Sequence, residues 1–154
     1  LSAAYECHLG YWLPERGRNW ELHYSRYGRN EPTGMLVILT EERGGYELTQ
    51  EKFKLPPGIR DGAADELWGF TADCLDRFLT KYHMKDRSDK LPIAFTFSYP
   101  VTQNNIRHGI LQRWTKGFDV SGVEGNDVVE QLERTLQRKV RYPPLETQLS
   151  NTSS

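Results

Sequence analysis

Cysteine is scarce in this chain: Cys7 and Cys74 are the only two in 154 residues. Two thiols make no disulfide framework, and neither sits in a Cys/His cluster with zinc spacing. Long apolar runs are missing too. The longest stretch free of polar residues is 35–39, Met-Leu-Val-Ile-Leu, far short of the roughly 20 residues a bilayer-spanning helix needs. There is no excess charge of either sign, with 20 Lys and Arg against 21 Asp and Glu and a net charge of −1. That balance excludes the basic surplus expected of a chain whose main partner is nucleic acid or an anionic membrane. No basic-then-apolar leader opens the sequence, so a reducing cytoplasm is the expected compartment. Walker-type loops, dinucleotide fingerprints, Gly-x-Ser-x-Gly and His-Glu-x-x-His are all absent.

What is present suits one domain. A chain of this length buries roughly 70% of its unfolded surface, so no cross-link or metal is required for stability. Aromatic residues make up 12% of it, which argues against disorder throughout. Residues 1–33 are the least patterned part. Tyr5, Tyr11, Trp12, Trp20, Tyr24 and Tyr27 are interleaved there with Arg16, Arg18, Arg26 and Arg29. Such a mixture is able to stack on bases or sugars. Without period or motif, it reads as an unassigned arm, loosely ordered or built of surface strands.

From residue 35 the pattern sharpens. Residues 35–40 and 46–55 read as a hairpin around the turn Glu41-Glu42-Arg43-Gly44-Gly45, closed by Pro56-Pro57-Gly58. Residues 65–83 read as a helix, with Leu67, Phe70, Cys74, Phe78 and Tyr82 at spacings of three and four. Cys74 falls in that stripe as a small buried hydrophobe. Residues 85–90 follow as a loop. Residues 91–99 alternate as a strand that Pro100 ends or places at an edge. Residues 106–114 fit helix and strand equally, and Gly109 weakens the helix. Residues 127–140 read as a second helix, with Asn126 as N-cap and Pro143-Pro144 as stop. Residues 142–154 read as a disordered tail, within which Asn151-Thr152-Ser153 is a glycosylation sequon of no expected use. His8, His23, His83 and His108 have no partner in sequence, and His108 reads as a surface loop residue. Trp114 reads as core.

One segment is specific. Residues 91–117 spell LPIAFTFSYPVTQNNIRHGILQRWTKG. The elements Leu91-Pro92, Phe95-Thr96-Phe97-Ser98-Tyr99-Pro100, Gly109-Ile110-Leu111 and Trp114-Thr115-Lys116-Gly117-Phe118 resemble the sugar-binding signature of the eukaryotic hexokinase family. Asp65-Glu66-Leu67-Trp68 with Ala72-Asp73-Cys74-Leu75 resembles the family's first small-domain helix, and Gly125-Asn126-Asp127-Val128-Val129 the start of the next. The resemblance covers about residues 35–141, and residues 34–141 are taken as the family's small-lobe segment.

The resemblance implies an α/β fold, the small domain of a ribonuclease-H-like (actin-like ATPase and sugar kinase) architecture, with a mixed sheet and flanking helices. It implies ATP-dependent phosphorylation of a glucose-like hexose at the 6-hydroxyl, with magnesium. Carried over by residue, Ser98 with the Tyr99-Pro100 turn would line the sugar site, and Thr115 and Lys116 would reach sugar hydroxyls. A hexose is all hydroxyls, so its site needs short hydroxyl, amide and ammonium groups in fixed geometry. The family's phosphate loop, Asp-x-Gly-Gly-Thr, does not occur; the chain reads Gly28-Arg29-Asn30-Glu31-Pro32-Thr33-Gly34 where it is expected. The family's base, the aspartate of an Asn-Asp-Thr motif, is not found either, and Asn126-Asp127 stands upstream of its place. The chain is therefore expected to be a truncated small-lobe portion without kinase activity. The alternative is a non-catalytic hexokinase-like protein that binds sugar or regulates a partner.

Overall fold

The computed structural model describes residues 19–24, 32–39, 46–83, 93–140 and 147–151. The aromatic–arginine residues before Asn19, Cys7, His8, the turn at 41–45, the loop at 85–90, Leu91-Pro92 and Pro143-Pro144 lie outside them. So do Arg26, Tyr27 and Arg29. Among the described residues, no helix is long and apolar enough to cross a membrane.

A five-stranded mixed sheet organises the chain. Its strands are β1 (Asn19–Tyr24), β2 (Pro32–Leu39), β3 (Tyr46–Lys52), β4 (Ile93–Phe97) and β7 (Thr147–Asn151), in the order β3-β2-β1-β4-β7. β2 runs antiparallel to β1 on one side and to β3 on the other. β4 lies parallel to β1 on one side and to β7 on the other. The hairpin expected from residues 35–55 is present as β2 and β3, with Val37 opposite Leu48. Of residues 106–114, which fitted either element, His108–Leu111 form strand β6, which pairs with β5 (Val101–Asn105) in a second small sheet. Gly109 is buried there.

Two expectations at the ends are corrected. The segment 1–33 reads in sequence as an unassigned arm, loosely ordered or built of surface strands, yet Asn19–Tyr24 is the central strand of the sheet, inserted between β2 and β4. Residues 142–154 were read as a disordered tail, yet Thr147–Asn151 pairs with β4 from Ile93↔Thr147 to Phe97↔Asn151. Asn19–Tyr24 does alternate, with Trp20, Leu22 and Tyr24 set between Asn19, Glu21 and His23, a six-residue signal lost among the unpatterned residues around it, whereas Thr147–Asn151 does not. Each takes its register from β4, whose backbone is hydrogen-bonded on both sides.

The helices α1 (Ala64–Lys81) and α2 (Val128–Lys139) follow the expected periodicities. Glu66 turns back to accept from the Ala63 N–H at 3.1 Å, with Asp65 and Glu66 in the first turn, where a carboxylate complements the helix dipole. At the other end Lys81 bonds Glu51 of β3 at 3.0 Å, and that carboxylate raises the Lys81 ammonium above its ordinary range. His83 lies past the helix at φ 53°. The cap of α2 is Asp127, not Asn126: its side chain accepts from the N–H groups of Val129 and Glu130. Asn126 instead directs its amide to the carbonyls of Gly122 and Glu124.

Both helices bury their apolar stripes with the alternate residues of β4. Ile93, Phe95 and Phe97 are each at most 2% exposed, and Trp68 of α1 meets Phe95 edge-on at 6.1 Å between centroids. The Trp68 indole N–H donates to Gln131 of α2 at 2.7 Å, so its one polar atom is satisfied inside the helix pair. Cys74 is buried as expected, and burial pushes its thiol up to about 12. This is the mixed α/β arrangement with flanking helices that the resemblance implies.

Candidate functional site

Parallel strands gather their carboxyl ends at one edge, and that edge is where open α/β sheets bind ligands. Here β1 ends at Tyr24, β4 at Phe97 and β7 at Asn151, with Phe97 directly opposite Asn151. Ser98, Tyr99 and Pro100 continue from β4 beyond this edge. The Pro100 carbonyl accepts from the Gln112 N–H at 2.8 Å, which fixes the exit of β4 to the strand end of β6. Pro100 therefore terminates an interior strand.

The second part of the site is the turn Thr115-Lys116-Gly117-Phe118. Lys116 has φ 59° and Gly117 φ 75°, and the Phe118 N–H closes the turn on the Thr115 carbonyl at 3.2 Å. Two successive left-handed residues suit the glycine; for lysine that conformation costs about 1–2 kcal/mol. The strain is held by contacts on both sides. Lys116 Nζ donates to the Ser98 carbonyl and lies 4.9 Å from the centre of the Tyr99 ring. Its neighbour Trp114 is held by two bonds, from its backbone N–H to a Glu124 carboxylate oxygen and from its indole N–H to the Val120 carbonyl at 2.8 Å.

Beneath the turn lies an aromatic cluster. Trp114 stacks with Phe118 at 5.6 Å and meets Tyr99 edge-on at 4.9 Å, and Phe97 lies 4.8 Å from Tyr99. Arg60, from the loop before α1, covers the far ring of the cluster, 5.5 Å above Phe118. That loop is tied to the chain after Lys116, with the Asp119 N–H bonded to the Arg60 carbonyl at 2.8 Å and Ala64 N–H to that of Ser121 at 2.9 Å. The turn therefore stands on α1 and β4 together.

Of the residues singled out in the sequence, the structure brings Ser98, Tyr99 and Lys116 into direct contact, with Thr115 adjacent in the turn. Ser98, Pro100 and Thr115 are half-buried, and Lys116 is exposed. Tyr99 differs from its neighbours: at 2% exposure its ring is core. Trp114 is core as expected, at 9% exposure. His108 departs from its reading as a loop residue. It stands in β6, with Nε2 3.7 Å from a carboxylate oxygen of Asp127. Sequence reasoning missed both the Tyr99 ring under Lys116 and the edge position of Asn151. The adjacent Lys-Gly pair was a usable signal for the turn; nothing in Thr147–Asn151 announced a strand.

The chain matches the hexokinase family model over residues 32–151. It is 48% identical over 103 residues to a hexokinase of Emericella nidulans, covering 67% of this chain and 21% of that protein. It is 44% identical over 110 residues to hexokinase-1 of Saccharomyces cerevisiae, covering 70% and 23% respectively. The structure is similar to that of a Schistosoma mansoni hexokinase complexed with glucose, with a TM-score of 0.77 and 30% identity over 89% of this chain and 29% of that one. The chain thus spans about a fifth of the length of the curated relatives it matches.

Proposed function

The chain belongs to the hexokinase family, and from that premise we propose that the edge formed by Ser98, the Tyr99-Pro100 turn, Thr115 and Lys116 takes a hexose. One observation carries the reading: Lys116, at positive φ, returns its ammonium to the Ser98 carbonyl at the carboxyl end of β4. A strained non-glycine residue held by specific contacts at a ligand-binding edge is where function is sought. In this reading the Ser98 and Thr115 hydroxyls donate to and accept from sugar hydroxyls, and Lys116 supplies a charged donor. The relative from Schistosoma mansoni was solved with glucose, which supports the choice of sugar class.

Phosphoryl transfer is a separate matter. The family reading is attack of the hexose 6-hydroxyl on the γ-phosphate of ATP, assisted by magnesium, in the cytoplasm as a step of sugar breakdown. The residues present do not fit the nucleotide. The 154 residues contain no Asp-x-Gly-Gly-Thr and no Asn-Asp-Thr, and no aspartate follows Asp127. Strand β7, which follows α2, reads Thr-Gln-Leu-Ser-Asn. Among the described residues, no group of three His, Cys, Asp or Glu side chains could hold a metal ion. We assign sugar binding to these residues and no phosphoryl-transfer step. Residues 34–141, extended by β1 and β7, are the small-lobe segment in this reading.

The test is a glucose titration of the 154-residue chain followed by tryptophan fluorescence, with Lys116→Ala and Ser98→Ala beside it. Trp114 adjoins Thr115 and packs on Tyr99, so it reports closure of the turn on sugar. A saturable change, lost in Lys116→Ala and without ATP consumption in a coupled assay, is expected. A flat response from a chain with a normal helical far-UV spectrum would sink the reading.

A further inference from the structure

We propose that Tyr99 is a positioning residue: its buried ring sets where Lys116 presents its ammonium. The consequence for sugar affinity rests on the sugar-site reading above; the positioning itself does not.

Tyr99 is packed by Phe97 at 4.8 Å, Trp114 at 4.9 Å and Phe118 at 5.6 Å between centroids. Edge-to-face packing of this kind fixes a ring's orientation as well as its position. Trp114 is in turn pinned through Glu124 and the Val120 carbonyl, so the cluster is anchored outside the turn it supports. Onto this fixed ring comes a lysine, the side chain least able to hold itself in place. Four rotatable carbons make its ammonium a flexible point charge, and ordering such a chain costs up to roughly 2 kcal/mol of rotamer entropy.

Two features offset that cost. The left-handed backbone at Lys116 and Gly117 folds the turn back over the end of β4. The ammonium then lies 4.9 Å from the Tyr99 ring centre and within hydrogen-bond reach of the Ser98 carbonyl. The negative faces of aromatic rings attract cations, and a carbonyl oxygen does the same along its lone pairs. Ring and carbonyl belong to consecutive residues, so the Ser98-Tyr99 dipeptide holds one cation by two different fields. The ring needs no contact with sugar to do this, which accounts for a side chain in the sugar motif being 2% exposed.

The experiment varies the ring's electron density at nearly constant shape, because a non-aromatic residue in this cluster could prevent folding. Tyr99 is replaced by Phe, 3,5-difluoro-Phe and pentafluoro-Phe in the full chain, with far-UV spectra to verify folding. The Lys116 ammonium is followed by nitrogen–proton NMR on lysine-labelled protein, its signal assigned by loss in Lys116→Arg. The expected result is an upfield-displaced Lys116 signal that approaches that of a free lysine as fluorine is added. Glucose affinity is expected to fall in the same order, by about two- to fivefold overall, as loss of an exposed-site cation–π contact implies. A Lys116 signal indifferent to the series overturns the proposal; an unchanged glucose affinity while the signal moves overturns the consequence drawn from it for sugar binding. If the signal follows the ring and even the parent chain fails to bind glucose, the positioning stands and the sugar-site reading falls.

Discussion

One carboxylate oxygen of Asp127 accepts from the Gly109 N–H at 3.2 Å while also capping α2 through the N–H of Val129 at 2.9 Å and of Glu130 at 3.4 Å. The same side chain therefore starts a helix and fastens the β5–β6 hairpin to it. Asp127→Ala removes a cap, usually worth about 0.5–2 kcal/mol, and strands the buried Gly109 N–H as well. A loss at the upper end of that range is expected in urea unfolding. Asp127→Asn retains an acceptor oxygen and is expected to lose less. Faster amide exchange at Gly109 in Asp127→Ala, without change at the Trp114 amide, would localise the effect to the hairpin.

Lys139 lies across the two helices. Its ammonium is 2.9 Å from both carboxylate oxygens of Asp73 and 3.3 Å from the Gly69 carbonyl, close above a glycine in the middle of α1. A methyl group at Gly69 would come within 3.3 Å of that ammonium, the free end of a flexible side chain. Alanine in a helix interior is favoured over glycine by about 0.8–1.0 kcal/mol, and an exposed ion pair is worth about 0–1. Gly69→Ala is therefore expected to stabilise by roughly 0.5 kcal/mol in chemical denaturation. In a Lys139→Ala background the same change should recover the full propensity difference. A destabilised Gly69→Ala would mean that the lysine cannot move aside.

Burial dominates the Cys74 environment, with Asp73 and Glu51 adding to the upward shift and Arg77 opposing it. A thiol raised to about 12 is protonated and inert in the native state at neutral and mildly alkaline pH. Iodoacetamide at pH 8 is expected to leave the peptide carrying Cys74 unlabelled until denaturant is added. The sign of the pH effect follows from linkage. Below the ordinary value of 9.0 the thiol is protonated in both states and its contribution is fully present. Between there and about 12 only the unfolded chain loses the proton, so stability falls by roughly 1.4 kcal/mol per pH unit. Cys74→Ala should flatten that alkaline limb of a stability–pH profile.

The helices and β4 were legible because their apolar residues recur with the period of one buried face: Leu67, Cys74 and Phe78 on α1, Ile93, Phe95 and Phe97 on β4. Of the strands at either side of β4, Thr147–Asn151 shows no such period and draws its pairing from a neighbour distant in sequence. Asn19–Tyr24 carries a period of two in Trp20, Leu22 and Tyr24 that was readable but stands isolated in an unpatterned stretch. Hairpin β5–β6 escaped a firm assignment for a related reason. Ile106 is half-exposed at its tip, so the spacing of Ile106, Ile110 and Trp114 that mimics a helix marks no common face. At the site, the motif carried Ser98, Thr115 and Lys116, but no pattern of residue types encodes a left-handed lysine or the ring beneath it. Those arise from the way the turn closes over a strand end, a long-range fact.

That closure can be tested by its strain. Lys116→Ala and Lys116→Gly both delete the ammonium, its bond to Ser98 and its contact with Tyr99, so those losses cancel between them. They differ in backbone freedom. At an ordinary position alanine is the more stabilising because glycine loses more entropy on folding. At φ 59° the order inverts, since alanine bears the left-handed penalty of about 1–2 kcal/mol and glycine does not. Lys116→Gly is thus expected to unfold at higher urea than Lys116→Ala, by about 1 kcal/mol, with neither responding to glucose. Equal or reversed stabilities would show that residue 116 is not held left-handed, and the path of its side chain to Ser98 would have to be different.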